Sequence, residues 1–589
     1  MRYMNISQTV LISLSVFFSA CIRDSKEKLP DVDFKRTDNT VVVRMESDAD
    51  RLNTLLTQSQ YGRMPSDLAQ LNLMTYNDSL ELIPYMVKGQ PEIKDLPNNA
   101  VSYTFEMLDE AVWDDGKPVT GHDYLFTLKT ILNPKIEGVL GPFVEEIKDV
   151  QVDAKNPKRF TVVMSPKTIY SLEYATNSFS VIPQHIMDPK GLMKSIPLAD
   201  LIDPAKAEAL ASNPKIVEFA ELFSSPAYSN DPKYLVGCGP YRIESWTPGE
   251  KIVVKKKKDW WGDKVVKTNP LLTAYPDEII FKIIVDPAAT TAALKNEEID
   301  VTNRITPEDF LALQKNKAVS DRYAFHNPAT MAYYCIPVNA RNPKLADKRV
   351  RQALAHAIDV DEIINEIYLG FAERIASPVS LSSPDYNKKL KPIPFDIKKS
   401  KALLAEAGWK DSNNNGIVDK VINGKNTELS LNFLYAAGKE TSQQLALLIQ
   451  DNAKKAGIDI NIQAIDGREA IGRWATHDFE LLSAGRGIAP IWSPEQNWRT
   501  DADNRSGFGN AETDALIDKI PLTFDSKKRR EMYHRLQEII FDEQVEIFLF
   551  APKDCVAIHK RFSAEPVSNS PGYAPAEFKL KNNVGFEGS

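Results

Sequence analysis

A short polar loop near the middle of the chain carries the most specific chemical pattern in this sequence. The segment from Asp411 to Asp419 reads D-x-N-x-N-G-x-x-D, which is the first part of a calcium-binding loop whose side-chain oxygens surround a hard cation. Such a loop ends on a bidentate glutamate, and Ile422 stands in that place. Because this ligand is missing, we expect no bound metal, and calcium is the alternative.

Residues that could carry out catalysis are not arranged in a familiar motif. The sequence contains no GxSxG nucleophile elbow, no HExxH pair and no phosphate-binding P-loop. Its 80 acidic residues make carboxylate pairs too common to identify a general acid and base. We therefore expect a protein that is not an enzyme and uses no cofactor, with a secreted hydrolase as the alternative.

The N-terminal 21 residues have the features of an export signal. Arg2 supplies a positive charge, and Val10 to Phe18 form an apolar run. A run of about nine residues is too short to cross a bilayer of roughly 30 Å, but it is typical of a signal-peptide core. We expect residues 1–21 to direct the chain out of the cytoplasm.

A cysteine follows this apolar run in the context of a lipid-attachment site. Ser19 and Ala20 precede Cys21, which resembles a bacterial lipobox, although Phe18 stands where Leu or Val is usual. Cys21 would then be lipidated and anchor the protein to the membrane, facing the periplasm or the cell surface. A plain signal peptide and an uncleaved anchor are the alternatives. Residues 22–40 are polar and predict a flexible tether.

Composition limits the classes of partner and fold. The net charge of -8 and the pI of about 5.6 argue against nucleic-acid binding, which needs a concentrated positive surface. A length of 589 residues predicts several domains. Only four cysteines are present, so the protein is not a disulfide scaffold.

The elements that must position any binding residues alternate between strands and helices. Val101 to Met107 alternates as a half-buried strand, and Thr120 can cap the helix that follows. Farther on, Leu429–Tyr435 predicts a strand, Ser442–Ala456 a helix and Ile458–Ile465 a strand. This βαβ succession predicts an α/β protein, with helices on the faces of a sheet.

Five segments, spread in order over most of the chain, follow sequence patterns that are known from one protein family. They are residues 103–134 with an aromatic-Asp-Gly turn, 237–263 with Gly-Pro-Tyr and Trp-Trp, the arginine-bearing helix within 342–378, 399–419, and 529–550. In this order they resemble the bacterial extracellular solute-binding proteins of family 5, the oligopeptide-, dipeptide- and nickel-binding class.

The resemblance implies a two-lobed α/β fold of the periplasmic-binding-protein type II-like (Venus flytrap) kind, with an extra β-rich domain on the first lobe. Lobe I would comprise residues 41–72, 188–329 and 546–589, domain II residues 73–187, and lobe III residues 330–545. Two chain crossings, near 329–332 and 545–548, would form a hinge, and a ligand would lie in the cleft between the lobes.

The resemblance also places candidate ligand contacts on both sides of this cleft. Ser59, Gln60 and Tyr61 lie where the family loop of lobe I runs along the ligand. Tyr333 and Tyr334 lie beside the first crossing and are expected to face the cleft.

In lobe III the family's ligand-contact segment corresponds to residues 479–498 here, which include Ala484, Gly485 and Arg486. Peptide binders of the family place a carboxylate there that pairs with the ligand's α-ammonium group. That position falls on Ala489 or Pro490, and no Asp occurs between Asp478 and Asp501. The usual ammonium anchor is therefore missing.

Two hypotheses are open for each of three large side chains in the same segment. Arg486 stands where Trp is usual. In the first hypothesis it is a cation in the cleft that binds a carboxylate or phosphate of the ligand. In the second it is a surface residue or pairs with Glu480 or Glu495. Trp492 and Trp498 either wall the cleft or pack in the core.

The function implied by the resemblance is capture of a solute outside the cytoplasm for an ABC importer. The protein would be a monomer that closes on a peptide or a related small solute and delivers it to permease subunits. It would contact the membrane only through its lipid anchor. The missing ammonium anchor leaves N-blocked peptides, oligosaccharides and metal chelates open as ligands. A secreted hydrolase lipoprotein and a binding or chaperone module without a transport role are the alternatives.

Overall fold

The computed structural model of this chain describes residues 34–77, 80–438, 440–494, 498–501, 504–567 and 571–581. The predicted signal peptide, the lipidation site Cys21 and most of the tether lie outside these ranges. Within them, no helix combines the length and apolar character needed to cross a membrane.

The first part of the chain forms mainly strands. Its elements are β1 (Thr40–Met45), α1 (Gln60–Ala69), β2 (Met74–Tyr76), β3 (Leu82–Pro84), β4 (Glu92–Leu96), β5 (Ala100–Glu106), α2 (Gly121–Ile131), α3 (Gly141–Val144), β6 (Ile147–Val152), β7 (Arg159–Met164) and α4 (Ser171–Thr176). The predicted Thr120 cap of α2 is confirmed as a capping box with Asp123.

The next part begins with short helices and returns to strands. Its elements are α5 (Gln184–Met187), α6 (Leu198–Ile202), α7 (Pro204–Leu210), α8 (Pro214–Phe223), α9 (Pro226–Asn230), β8 (Tyr241–Thr247), β9 (Lys251–Lys256), β10 (Glu278–Ile283), α10 (Pro287–Lys295), β11 (Val301–Thr302), α11 (Pro307–Lys315), α12 (Lys317–Ser320) and β12 (Tyr323–His326). Two short 3₁₀ helices, Trp261–Lys264 and Pro270–Leu272, lie between β9 and β10.

The remaining chain mixes helices and strands. Its elements are β13 (Ala332–Pro337), α13 (Lys348–His356), α14 (Val360–Glu366), β14 (Ala372–Arg374), α15 (Ile397–Glu406), β15 (Asp419–Ile422), β16 (Lys425–Glu428), β17 (Ser430–Ala436), α16 (Glu440–Lys455), β18 (Asp459–Ile465), α17 (Gly467–Ala475), β19 (Leu481–Leu482), β20 (Ala484–Gly487), α18 (Ala511–Lys519), α19 (Ser526–Glu543), β21 (Glu546–Pro552), β22 (Val556–His559), β23 (Phe562–Ser563) and β24 (Lys579–Leu580). A 3₁₀ helix, Pro575–Glu577, precedes β24.

Lobe I is built on a seven-stranded sheet with the order β12-β22-β11-β1-β10-β9-β8. Strand β1 lies between β10 and β11 and is parallel to both. Its residues Val41 and Val43 are fully buried, as expected for a central strand covered on both faces.

Domain II is built on the antiparallel sheet β4-β5-β7-β6. Side chains of this sheet, such as Phe105 and Val162, share one core with Leu198, Ile216 and Phe219 of the helices α6 and α8. The sequence-based division assigned residues 188–329 to lobe I, but the stretch up to α9 packs with domain II. Its apolar helix faces explain the difference, because they complete the core of the small sheet.

Lobe III contains the sheets β14-β21-β13-β20 and β18-β17-β19. Strands β17 and β18 are parallel and joined by α16, so the predicted βαβ unit is confirmed. The two sheets meet where Val338 bridges to Leu481.

The chain crosses between lobe I and lobe III twice, at residues 327–331 and 553–555. The prediction placed the first crossing at 329–332. The second lies later than the predicted 545–548, because β21 pairs with β13 and β14 before the chain leaves. Residues 546–552 therefore belong to lobe III and not to lobe I.

Candidate ligand-binding cleft

The two crossings lie side by side and are tied to each other. Asp554 donates its backbone N–H to the Pro328 carbonyl at 2.9 Å, and Asn327 Nδ2 donates to the Asp554 carbonyl at 3.2 Å. Thr330 Oγ1 donates to the Pro552 carbonyl at 2.8 Å. The crossings thus form one narrow double-stranded hinge.

The Asp554 side chain connects this hinge to lobe I. Its carboxylate accepts from Arg304 N at 2.8 Å and from Asn303 Nδ2 at 3.1 Å. Burial raises the pKa of Asp554, and these donors oppose that shift. The segment that follows β11 is therefore fixed to the hinge.

Three predicted residues of lobe I come together beside this segment. Ser59 caps α1, where its Oγ accepts from Tyr61 N at 3.1 Å, so the cap fixes the first turn of the helix. Tyr61 donates its hydroxyl to Glu46 at 3.0 Å. Arg304 donates to Gln60 Oε1 at 3.2 Å.

An ion pair that the sequence analysis missed lies beside Ser59, Gln60 and Tyr61. Arg304 Nη1 lies 3.1 Å from Glu46 Oε2 and 3.2 Å from the Tyr61 hydroxyl. Glu46 directly follows β1 and Arg304 follows β11, and the carboxyl ends of parallel strands meet at one edge of a sheet. That rule, applied to β1 and β11, could have found the pair.

The ion pair is open to solvent and sits at the hinge. The side chains of Arg304 and Glu46 remain 39% and 33% exposed. Partial burial acts to raise the pKa of Glu46, but the guanidinium groups of Arg304 and Arg44 hold it below its ordinary value. The pair therefore stays charged at neutral pH and can exchange partners with a ligand's ammonium and carboxylate groups.

Tyr334 lies near the start of lobe III, in the strand β13 that follows the first crossing. Burial raises its pKa, and the charge of Arg304 opposes that shift across the hinge. The Tyr334 ring stacks on Phe550 with centroids 5.2 Å apart. A Cβ at Gly485 would lie 3.4 Å from this ring, so the glycine allows β20 to lie against Tyr334. Ala484, its neighbour, is half-buried.

Tyr333 and Arg486 point to the other face of the same sheet. Arg486 forms an ion pair with Glu546, and the Tyr333 hydroxyl donates to Glu546 at 3.3 Å. Both Tyr333 and Glu546 are buried. Burial acts to lower the pKa of Arg486, but Glu546 raises it overall, so its charge is neutralised inside lobe III.

The Arg486–Glu546 ion pair differs from both hypotheses that the sequence suggested for Arg486. Glu480 pairs instead with Lys344, and Glu495 lies outside the described residues. Arg486 also stacks over the Trp474 ring, 4.8 Å from its centroid. Because its carboxylate partner is internal, Arg486 is not a free cation for an anionic ligand in this arrangement.

The two predicted tryptophans occupy different environments. Trp498 is 1% exposed and packs in the core with Tyr533 and Ile517, in agreement with the core alternative. Trp492 is half-buried, with ring centroids 5.7 Å from Trp498 and 5.4 Å from Tyr533.

The loop with the calcium-like spacing is closed by its own donors. Asp411 accepts the backbone N–H groups of Asn415 and Gly416 at 3.1 and 3.0 Å. The side-chain amides of Asn413 and Asn415 donate to Glu428. No group of three or more His, Cys, Asp or Glu side chains in the described part of the chain is placed to hold a metal.

Comparison with known families supports this architecture. Residues 92–508 match the family model described as "Bacterial extracellular solute-binding proteins, family 5 Middle". This match covers more than two thirds of the chain.

Individual relatives share the fold over nearly their full length. The chain is 26% identical to the oligopeptide-binding protein AppA of Bacillus subtilis, over 79% of this chain and 78% of that protein. The structure of AppA in complex with a nonapeptide covers 93% of this chain and 100% of that one, with a TM-score of 0.71 and 21% identity. NikA of Brucella suis in complex with Fe(III)-EDTA gives a TM-score of 0.73 and 19% identity, over 92% of this chain and all of that one. The two-lobed α/β fold is confirmed.

Proposed function

Since this chain belongs to the bacterial extracellular solute-binding proteins of family 5, we propose that it captures peptides or related small solutes for an ABC importer. The observation that carries the proposal is the exposed Glu46–Arg304 ion pair at the hinge edge of lobe I. Arg304 acts electrostatically on Tyr334 of lobe III, and we propose that the pair and this tyrosine lie on opposite sides of the cleft. Closure of the lobes would remove the ligand from water, and its differential contacts with both lobes would favour the closed state.

Glu46 and Arg304 suit a ligand that carries opposite charges. Burying an ammonium group without a counter-charge costs several kcal/mol. The positions where peptide binders carry an acidic residue are Ala489 and Pro490 in this chain. Glu46 supplies an alternative carboxylate for an ammonium group, and Arg304 supplies a cation for a carboxylate. Peptides satisfy both groups, and their class agrees with the nonapeptide bound by AppA.

We propose the cellular setting of this function from the family and from the N-terminal sequence. Members of this family act outside the cytoplasm. Cys21 in its lipobox-like context would hold the protein on the membrane, next to the permease subunits that receive the ligand. We propose a monomer, in which the cleft alone forms the binding site.

Native mass spectrometry of the chain from residue 22 onward tests the proposal first. A closed cleft retains its ligand through gentle purification, so a ladder of added peptide masses is expected. A protein that carries no added mass and gains no thermal stability from mixed peptides of two to nine residues would contradict peptide capture. Release of smaller products from those peptides would support the hydrolase alternative.

Substitutions then test the ion pair. Glu46→Gln and Arg304→Ala should each weaken the recovered ligand at least tenfold, or about 1.4 kcal/mol. The matched control is Glu298→Gln, which breaks the surface ion pair of Glu298 with Lys282 on the same lobe. Calorimetric titration showing equal affinity for all variants would remove the ion pair from the site.

A further inference from the structure

Domain II and lobe III touch each other on contacts that the chain order does not require. Ile169 donates its backbone N–H to the Pro521 carbonyl at 2.8 Å. The Lys167 ammonium lies 4.6 Å from the centroid of the Phe524 ring. Both residues of domain II lie between β7 and α4, and the chain passes through lobe I before it reaches lobe III.

A shared carbonyl forms the centre of this contact. Tyr170 donates its hydroxyl to the Trp492 carbonyl at 3.0 Å, and Tyr533 of lobe III donates to the same oxygen at 2.7 Å. Because a carbonyl has two lone pairs, it can accept both bonds. Trp492 follows β20 by five residues, so the contact holds the lobe III segment that contains the predicted ligand residues.

Both sides of the contact are rigid. On domain II, the segment before α4 is fixed because Ser171 Oγ accepts from Thr168 N at 2.8 Å and donates to Glu146 at 3.0 Å. On lobe III, Tyr533 is 1% exposed and packs against the Trp492 ring. The polar groups of the contact are therefore held in place before domain II and lobe III approach each other.

We propose that Lys167, Ile169 and Tyr170 form a clasp that holds lobe III in the closed position. The hinge ties lobe I to lobe III at one place, and the clasp ties domain II to lobe III at another, so together they fix the angle between the lobes. The clasp gives the extra domain a role in closing the cleft. This inference rests on the proposed function only in that closure would retain a ligand.

The groups of the clasp also make it reversible. A tyrosine hydroxyl, a backbone N–H and a lysine ammonium can all be hydrated when the lobes part, so opening leaves no buried polar group without a partner. The clasp therefore shifts a population of open and closed molecules and does not lock the protein.

Single-molecule energy transfer between two dyes can measure that population without any ligand. Ile93→Cys in domain II and Ile471→Cys in lobe III introduce attachment sites at exposed positions. The cysteines within the described residues, Cys238, Cys335 and Cys555, are buried and would not label in the folded protein. The chain from residue 22 onward contains every described residue and lacks Cys21.

Tyr170→Phe removes one hydrogen bond while keeping the ring, and we expect the closed-to-open ratio to fall about fivefold. Lys167→Ala, a second variant at a less buried position, should lower the ratio in the same direction, and the double variant should lower it further. Tyr275→Phe, an exposed tyrosine on lobe I, is the matched control and should leave the ratio unchanged.

The outcome does not depend on which ligand the protein binds. An unchanged ratio in both clasp variants would overturn the clasp, and so would a wild-type protein found open in nearly every molecule. Absence of any peptide ligand would contradict the proposed function and leave this measurement intact.

Discussion

Arg486 and Glu546 lie on the two strands that flank β13, and their charges meet beneath it. Glu546 is 2% exposed and also accepts from Tyr333. Taking two charges out of water is costly, and their attraction offsets that cost only while both are present. Each charge therefore needs the other for the stability of lobe III, whichever ligand the cleft holds.

Removing one member of the pair should be far more harmful than removing both. Arg486→Met leaves a buried carboxylate without its cation and should lower the free energy of unfolding by roughly 3–5 kcal/mol. The double variant Arg486→Met/Glu546→Leu should recover most of that loss. Urea unfolding of the two variants and the wild type measures both values. A double variant no more stable than Arg486→Met would contradict the prediction, because the loss would then not come from the unpaired Glu546 carboxylate.

The loss in Arg486→Met should also depend on pH. Burial raises the pKa of Glu546 above its ordinary value, and Arg486 opposes that shift. Without Arg486, Glu546 keeps its proton in the folded state at pH values where the unfolded chain has lost it, that is, above pH about 4.3. The free energy of unfolding of the variant therefore falls as pH rises above that value. The deficit relative to wild type should be smaller at pH 5 than at pH 7. The double variant has no carboxyl at this position, and its difference from wild type should change less with pH.

The partners of single residues were the hardest feature to predict from sequence. Arg486 pairs with a carboxylate 60 residues away, and only the order of strands in the sheet brings them together. The family resemblance placed Ser59, Gln60 and Tyr61 along the ligand. Their charged partners Glu46 and Arg304 depend instead on the pairing of β1 with β11. Local pattern carries no information about such pairs.

At the scale of elements, helices and strands with local signals were predictable. The βαβ unit of β17, α16 and β18 was found to within two residues at each boundary, because apolar periodicity and the closing Gly457 lie within the segment itself. The hairpin of β15 and β16 has no such apolar pattern. It nevertheless decides the chemistry of the loop before it, since it brings Glu428 to Asn413 and Asn415.

This arrangement predicts that the loop does not need a metal. Each carboxylate that would bind calcium already accepts hydrogen bonds: Asp411 from the backbone, Asp419 from Ser412, and Glu428 from the two amides. Treatment with EDTA, followed by addition of millimolar calcium, should leave the thermal unfolding temperature unchanged. A rise with calcium that disappears in Asp411→Ala would instead show a calcium site.

At the scale of the whole molecule, the two lobes differ in how their cores are assembled. The described core of lobe III draws on one continuous stretch, from Tyr333 to Phe550. The second domain boundary was misplaced in the sequence-based division because β21 completes this lobe before the chain crosses. Crossings lie in short irregular segments whose sequence carries little signal.

Lobe III should therefore fold alone. A fragment of residues 331–552 should show a cooperative urea transition and native-like near-ultraviolet circular dichroism. It loses the contact of Phe371 with Phe310 of lobe I, so we expect it to be less stable than the whole protein by about 2 kcal/mol or more. A fragment without a cooperative transition would mean that lobe III depends on its neighbours for its core.

The seven-stranded sheet of lobe I has a consequence for the order of events during synthesis. Its central strand β1 is among the first elements to leave the ribosome, while β22, the strand next to β11, is made more than five hundred residues later. Until β22 arrives, the sheet has an unpaired edge at β11 and β12 has no partner. A protein exported through a narrow channel must stay unfolded until it has crossed. Because the sheet of lobe I cannot be completed before β22 is made, this lobe stays incomplete during that time.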